Sequence, residues 1–213
     1  MDRDRFVTGR ALARSVLGDA LGVPARAVGL RVDGPGEAAP GRPRAAGGPS
    51  FSVAHAGAWV LLAVVTADDP GAGDDGAGDT EVGVDVEAVA AVGALLDDLH
   101  DAVPAGERPP AGWDARSLTR SWVRREAVLK AVGTGLLAPR DDLLLARADA
   151  PAAVVRTGGR LPDPARLALR DLDLPGDTDH LAAVALHGGA SGSVTVADGA
   201  RPLHRHGVRP DAR

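Results

Sequence analysis

Two hydrophobic periods alternate along this chain, and they divide it into helices and strands. Over Arg5–Leu21 the apolar residues Phe6, Leu12, Val16, Leu17 and Leu21 recur at helical spacing, which predicts a helix with one buried stripe. Gly22-Val23-Pro24 ends it, because proline disfavours helix in the residue before it. Val28–Val32 reads as a short strand. Asp33–Pro49 is rich in Gly, Pro and Ala and reads as a loop. Ser50–Thr66 has the pattern of a hairpin: Phe51 and Val53 alternate with Ser52 and Ala54, Gly57 offers a turn, and Trp59–Val65 is a continuous apolar run expected to be buried on both faces. Ala67–Thr80 is low-complexity Gly, Asp and Ala that cannot build a core and reads as a loop.

Glu81–Glu87 predicts the next strand, and Ala88–Val103 a second helix with Val92, Leu95, Leu96 and Leu99 as its stripe. Pro104–Gly112 is a proline-bearing connector, followed by Asp114 as a helix N-cap. The central stretch is Ser121–Leu136, a helix that Gly133 and Gly135 stop. Trp122 and Leu129 lie seven apart on its core-facing side, and Arg124 and Arg125 add positive charge. Beyond it the candidates are strands: Asp141–Ala146, Ala152–Thr157, Leu167–Leu172, His180–Leu186 and Ser193–Val196. His180–Leu186 echoes Trp59–Val65, so each half reads as helix plus hairpin. The fold class expected is α+β, with two similar, pseudo-two-fold-related halves, 1–103 and 104–213, each a helix on a small antiparallel sheet. A polar tail from about 200 to 213, carrying His204 and His206, is expected to fray.

Composition narrows the chemistry. Hydrophobic residues make up 45% of the 213, enough for a core, but aromatics are only 2%, so Ala, Val and Leu must build it. A net charge of −5 argues against a general polyanion binder while permitting a local basic pocket. With no cysteine, disulfides, thiolate metal sites and cysteine nucleophiles are excluded. The charged start carries no leader pattern and Ala58–Val65 is too short to span a bilayer, so a cytoplasmic protein without nucleic-acid or membrane partners is expected.

Candidate chemistry sits on two elements. In Gly83-Val84-Asp85-Val86-Glu87 the two acids project from one face of a strand, their Cα atoms roughly 6.5 Å apart. Two carboxylates so close repel unless a cation or proton lies between them. Glu126 and Lys130, four apart, share one face of the central helix. Taken alone, each motif also reads as a solvated face, the helix pair more readily than the strand pair. Together, three carboxylates without His or Cys favour magnesium or manganese, and magnesium usually takes phosphate oxygens as further ligands. Arg10 and Arg14 on the first helix, with Arg42 and Arg44 upstream of the hairpin, suit those phosphates. No P-loop or dinucleotide glycine pattern is present.

Phe51-Ser-Val-Ala-His55, Val82-Gly-Val-Asp-Val-Glu87 and Trp122–Leu136, in this order, resemble the three motifs of 4′-phosphopantetheinyl transferases. Length, the internal echo, Gly9-Arg10 with Arg14, and Gly41-Arg42-Pro43 resemble the monomeric, surfactin-synthetase-activating type. The resemblance implies transfer of the phosphopantetheine arm of coenzyme A to a serine of an acyl, peptidyl or aryl carrier protein, releasing adenosine 3′,5′-bisphosphate. It implies that Asp85, Glu87 and Glu126 hold magnesium, that Glu126, directly or through a metal-bound water, deprotonates the serine, and that Lys130 neutralises or protonates the leaving phosphate. Arg10, Arg14, Arg42 and His55 match positions that contact the coenzyme's phosphates. Ala54 and Ala56 depart from the Ser or Thr usual beside the motif histidine, and Arg42 and Arg125 stand where Lys is common. A coenzyme-binding relative weak in transfer, a magnesium-dependent nucleotide phosphohydrolase, and a structural module with a merely charged face are the rival readings.

Overall fold

The computed structural model describes residues 2–33, 42–66, 80–135, 138–188, 193–200 and 202. The first helix, α1, runs Asp2–Leu21 and stops at Gly22, whose φ of 66° is left-handed. Its buried face is Leu12, Ala13 and Leu17, but Phe6, expected in the stripe, is 56% exposed and lies under the Arg10 guanidinium. The strand expected at 28–32 is β1, Leu30–Asp33. It pairs antiparallel with β2, Arg42–Ala45, a strand inside the stretch read as a loop. Polar Arg42 and Arg44 hide it from a hydrophobic-pattern reading, because its pairing to β1 rather than apolar burial makes it a strand.

The hairpin forms as expected: β3 (Phe51–Ala56) and β4 (Trp59–Val64) pair around Gly57. However, β4 is half-buried along its length, not buried on both faces, because it is the outer strand of a two-stranded sheet. Ala13, Leu17 and Phe51 form a core between α1 and this hairpin.

The strand β5 (Glu81–Ala88) pairs antiparallel with β9 (His180–His187), which pairs with β8 (Leu167–Leu172). This sheet takes one strand from the 1–103 stretch and two from the 104–213 stretch. The helix expected over 88–103 is broken into α2 (Val89–Gly93), α3 (Leu96–Leu99) and a 3-10 turn, and Leu95 is 50% exposed. Gly93 is the break: a Cβ there would stand 2.8 Å from Ala115 Cβ, so close packing on the next helix matters more than continuing the turn.

That next helix, α4, spans Ala115–Val132. Asp114 caps it as expected, accepting from the Ser117 amide at 2.6 Å while its own amide donates to Ser117 Oγ at 3.0 Å. Gly133, at φ 82°, ends it. The main core, Val123, Ala127, Val128, Leu143, Leu145, Ala183 and Ala185 among others, lies between α4 and the sheet, with β6 (Leu143–Leu145) and β7 (Val154–Thr157) closing its far side. Residues 193–196, read as a strand, form no strand in the structure. The architecture is therefore α+β, with long helices packed on small antiparallel sheets. Among the described residues no helix is long and apolar enough to cross a membrane. Residues 67–79, Gly41, Leu136 and the tail histidines lie outside the described residues.

Candidate active site

The site begins with a glycine. A Cβ at Gly83 would fall 2.1 Å from Ala127 O and 2.4 Å from Ala131 N, so β5 lies directly on the backbone of α4. Only glycine on the strand, facing Ala127 and Ala131 on the helix, permits this approach. Two residues on, Asp85 points the same way as Gly83 and meets the helix one turn from its end. There Lys130 Nζ donates to Asp85 Oδ1 at 2.6 Å and to Val84 O at 3.2 Å. Strand and helix are thus tied through the two residues that sequence reasoning had placed on them.

Glu87 and Glu126 are coupled electrostatically to this pair. Burial pushes the Asp85 carboxyl up, opposed by Lys130. Burial, then repulsion from Asp85, pushes Glu87 up. The same two causes, in the same order, raise Glu126, with Lys130 and Arg125 opposing. One oxygen of Asp85, Oδ2, and one of Glu126, Oε1, are buried without a hydrogen-bond partner. Such orphaned oxygens are costly in an ordinary core, where buried polar groups are paired. Here two occur on acids that repel each other. Among the described residues no three acids or histidines are gathered tightly enough to close on an ion, and the Lys130 ammonium is the cation that Asp85 touches. The oxygen-only donor set and the orphaned atoms fit a hard divalent ion.

A separate cleft of about 260 Å³ opens between α1, β1 and β3. Arg5, Phe6, Gly9, Arg10, Val53 and His55 are among its lining residues. His55 is exposed and Arg10 half-buried, so an imidazole and two guanidiniums border an apolar hollow. Arg10 stacks 5.2 Å from the Phe6 ring centroid. Arg14 turns elsewhere, with Nε donating to Val28 O at 3.4 Å. Arg42 also turns elsewhere: one guanidinium nitrogen pairs with Glu81 at 2.6 Å, and the other donates to Lys130 O and Ala131 O. The structure therefore brings Arg10 and His55 to one cleft and Asp85, Glu87, Glu126 and Lys130 to one neighbourhood, and directs Arg14 and Arg42 to protein carbonyls.

Arg124 and Arg125, read as charge beside the acid, are internal ties. Arg124 pairs with Asp171 through Nε at 2.8 Å and through a terminal nitrogen at 2.6 Å. Arg125 donates to Glu107 at 2.6 Å and Leu143 O at 2.7 Å. Glu107 is fully buried and also accepts from the Ser121 hydroxyl and, at 3.1 Å, from the Leu145 amide. Sequence reasoning missed Glu107; a lone acid in a proline-rich connector gives no periodic signal. It missed Ser50, just before β3, and Ser52 within it too. Ser50 Oγ accepts from the Val82 amide at 3.1 Å and Ser52 Oγ from the Val84 amide at 3.2 Å, so hydroxyls replace the missing strand partner along β5.

This alternation decides where Ala54 and Ala56 point. Ser52, Ala54 and Ala56 share the face of β3 that packs on β5, and both alanines lie in the core with Val84, Val86 and Ala182. His55, between them, projects to the other side and the cleft. A hydroxyl at 54 or 56 belongs to the β3–β5 seam.

No curated protein matches the chain. Residues 81–185, from the start of β5 almost to the end of β9, match the family model of the 4′-phosphopantetheinyl transferase superfamily.

Proposed function

We propose that the protein transfers the 4′-phosphopantetheine arm of coenzyme A to a serine of an acyl, peptidyl or aryl carrier protein and releases adenosine 3′,5′-bisphosphate. It acts as a cytoplasmic monomer of the surfactin-synthetase-activating type. The observation that carries this reading is the meeting of Asp85, Glu87, Glu126 and Lys130 on two elements inside the stretch that matches the superfamily model, with two carboxylate oxygens buried and unpaired.

The mechanism follows from those side chains. Asp85, Glu87 and Glu126 would hold a hard divalent ion, magnesium or manganese, which would neutralise charge on the pyrophosphate. Arg10 and His55, at the cleft beside α1, hold the coenzyme's phosphates. Glu126, on the helix face shared with Lys130, takes the proton of the carrier serine. The serine oxygen forms a bond to the phosphorus nearer the pantetheine, the P–O bond of the pyrophosphate bridge breaks, and the bridging oxygen leaves on the nucleotide. Lys130, already beside Asp85, neutralises the charge that grows on that leaving phosphate. Most of the rate gain is positioning and charge complementarity.

The rival of a relative weak in transfer rested on Ala54 and Ala56; their burial in the β3–β5 seam, away from the cleft, supports the transfer reading over it. The test is incubation with coenzyme A, magnesium and a panel of apo carrier domains, read by mass spectrometry. A carrier gaining the arm supports the reading. Consumption of coenzyme A without any modified carrier supports the phosphohydrolase instead.

A further inference from the structure

Arg42 matches, by resemblance, a phosphate contact, yet its side chain is 11% exposed and both terminal nitrogens of its guanidinium are engaged within the protein, while Nε is buried without a partner. One nitrogen pairs with Glu81 Oε2 at 2.6 Å. The other donates to both Lys130 O and Ala131 O. Those carbonyls belong to the last turn of α4, where no following amide of the helix reaches them. Gly133, the helix stop, lies over the same group: a Cβ there would stand 3.6 Å from Arg42 Cζ. Glu81 is itself held, by Arg44 and by the Ser50 hydroxyl. The unit therefore ties β2, the first residue of β5 and the end of α4.

Lys130 is gripped at both ends. Its carbonyl is fixed by Arg42, and its ammonium by Asp85 on β5. Glu126 stands one turn earlier on the same helix. We propose that Arg42, oriented by Glu81, is a positioning residue: it anchors the last turn of α4 against β5 and so sets the reach of Lys130 and Glu126 to Asp85, and it does not contact the coenzyme. A cation at a helix C-terminus also complements the helix dipole, and the planar fork of arginine spans a carboxylate and two carbonyls as a lysine ammonium does not.

This inference rests on the transfer reading above. Its test is steady-state transfer with coenzyme A varied at saturating carrier protein, for Arg42→Gln, Arg42→Lys and Glu81→Gln, together with amide hydrogen exchange of each variant. The expected result is a fall in kcat of about tenfold in all three, with KM for coenzyme A within about twofold of wild type. Exchange at Gly133 and Thr134, whose amides donate to Leu129 O, accelerates by about tenfold. A phosphate contact gives the opposite split: KM rises in Arg42→Gln, kcat holds, Arg42→Lys restores binding, and Glu81→Gln behaves like wild type. That pattern overturns the inference and leaves the transfer reading intact. A wild-type chain that modifies no carrier overturns the transfer reading and, with it, the effect of Arg42 on catalysis, while the exchange rates still decide whether Arg42 anchors the helix.

Discussion

Replacing Glu126 by Gln should stabilise the fold while removing the activity. Glu126 has a buried, unpartnered oxygen, and its carboxyl is raised first by burial and then by Asp85. A group whose folded pKa lies above its unfolded value binds more protons when folded, so it favours folding below the unfolded pKa. That contribution is lost as pH rises through the folded pKa, and at neutral pH the ionised acid opposes folding. Glutamine keeps the unpaired oxygen but removes the charge, and the burial and Asp85 repulsion borne by the ionised form alone are on the order of 1 kcal/mol for a group with partial solvent access. For a chain of this size, 1 kcal/mol moves Tm by about 2–4 °C. Thermal melts in chelator at pH 7.5 should therefore show Glu126→Gln above wild type by that amount, and the gap should close near pH 3.5. Transfer should fall by at least about 100-fold, as expected for loss of a general base. Magnesium should then raise the wild-type Tm and leave the variant's almost unmoved, since only the form that binds the ion gains from it. A variant less stable than wild type at pH 7.5, or one that keeps normal turnover, would refute both the electrostatic reasoning and the role assigned to Glu126.

Gly83→Ala should cost about 3 kcal/mol or more, because the new methyl meets the Ala127 and Ala131 backbone, and urea titration should show a lower midpoint with transfer impaired in parallel. Glu107→Gln leaves the Arg125 guanidinium buried without its counter-charge and should cost about 3 kcal/mol in the same assay; a loss under about 1 kcal/mol contradicts the buried pair. The His187 imidazole is lowered by burial, then by Arg166 and Arg42, so the unfolded chain takes up the proton first as pH falls below about 6.5. Stability should decline over that fall, and His187→Gln should flatten the decline in urea midpoints between pH 7.5 and 5.5.

What the sequence disclosed and what it hid divide along physical lines. Helical spacing placed α1 and α4 within a few residues, and local cap chemistry at Asp114 and Gly133 placed the ends of α4, because both signals lie within one turn of chain. Alternation placed Asp85 and Glu87 on one strand face, and spacing placed Glu126 and Lys130 on one helix face. Their convergence depended on Gly83 lying against Ala127 and Ala131, a contact between segments some 45 residues apart that no local pattern encodes. Polar partners were least visible. Ser50 and Ser52 look like the solvated positions of a hairpin, but their hydroxyls bond β5 amides. Arg42 and Arg125 look like free cations, but Glu81 and Glu107 engage them. A charged side chain in a sequence carries no mark of its partner, and burial alone turned Glu107 from connector residue into the centre of a network.

The most direct measurement is intact-mass analysis of an apo carrier domain panel after incubation with coenzyme A and this protein, with magnesium and with chelator in parallel. The proposed ion site of Asp85, Glu87 and Glu126 predicts at least one carrier heavier by a single phosphopantetheine arm in magnesium, unmodified in chelator, and unmodified with Asp85→Ala. Equal modification in chelator, or an Asp85→Ala protein as active as wild type, would contradict it.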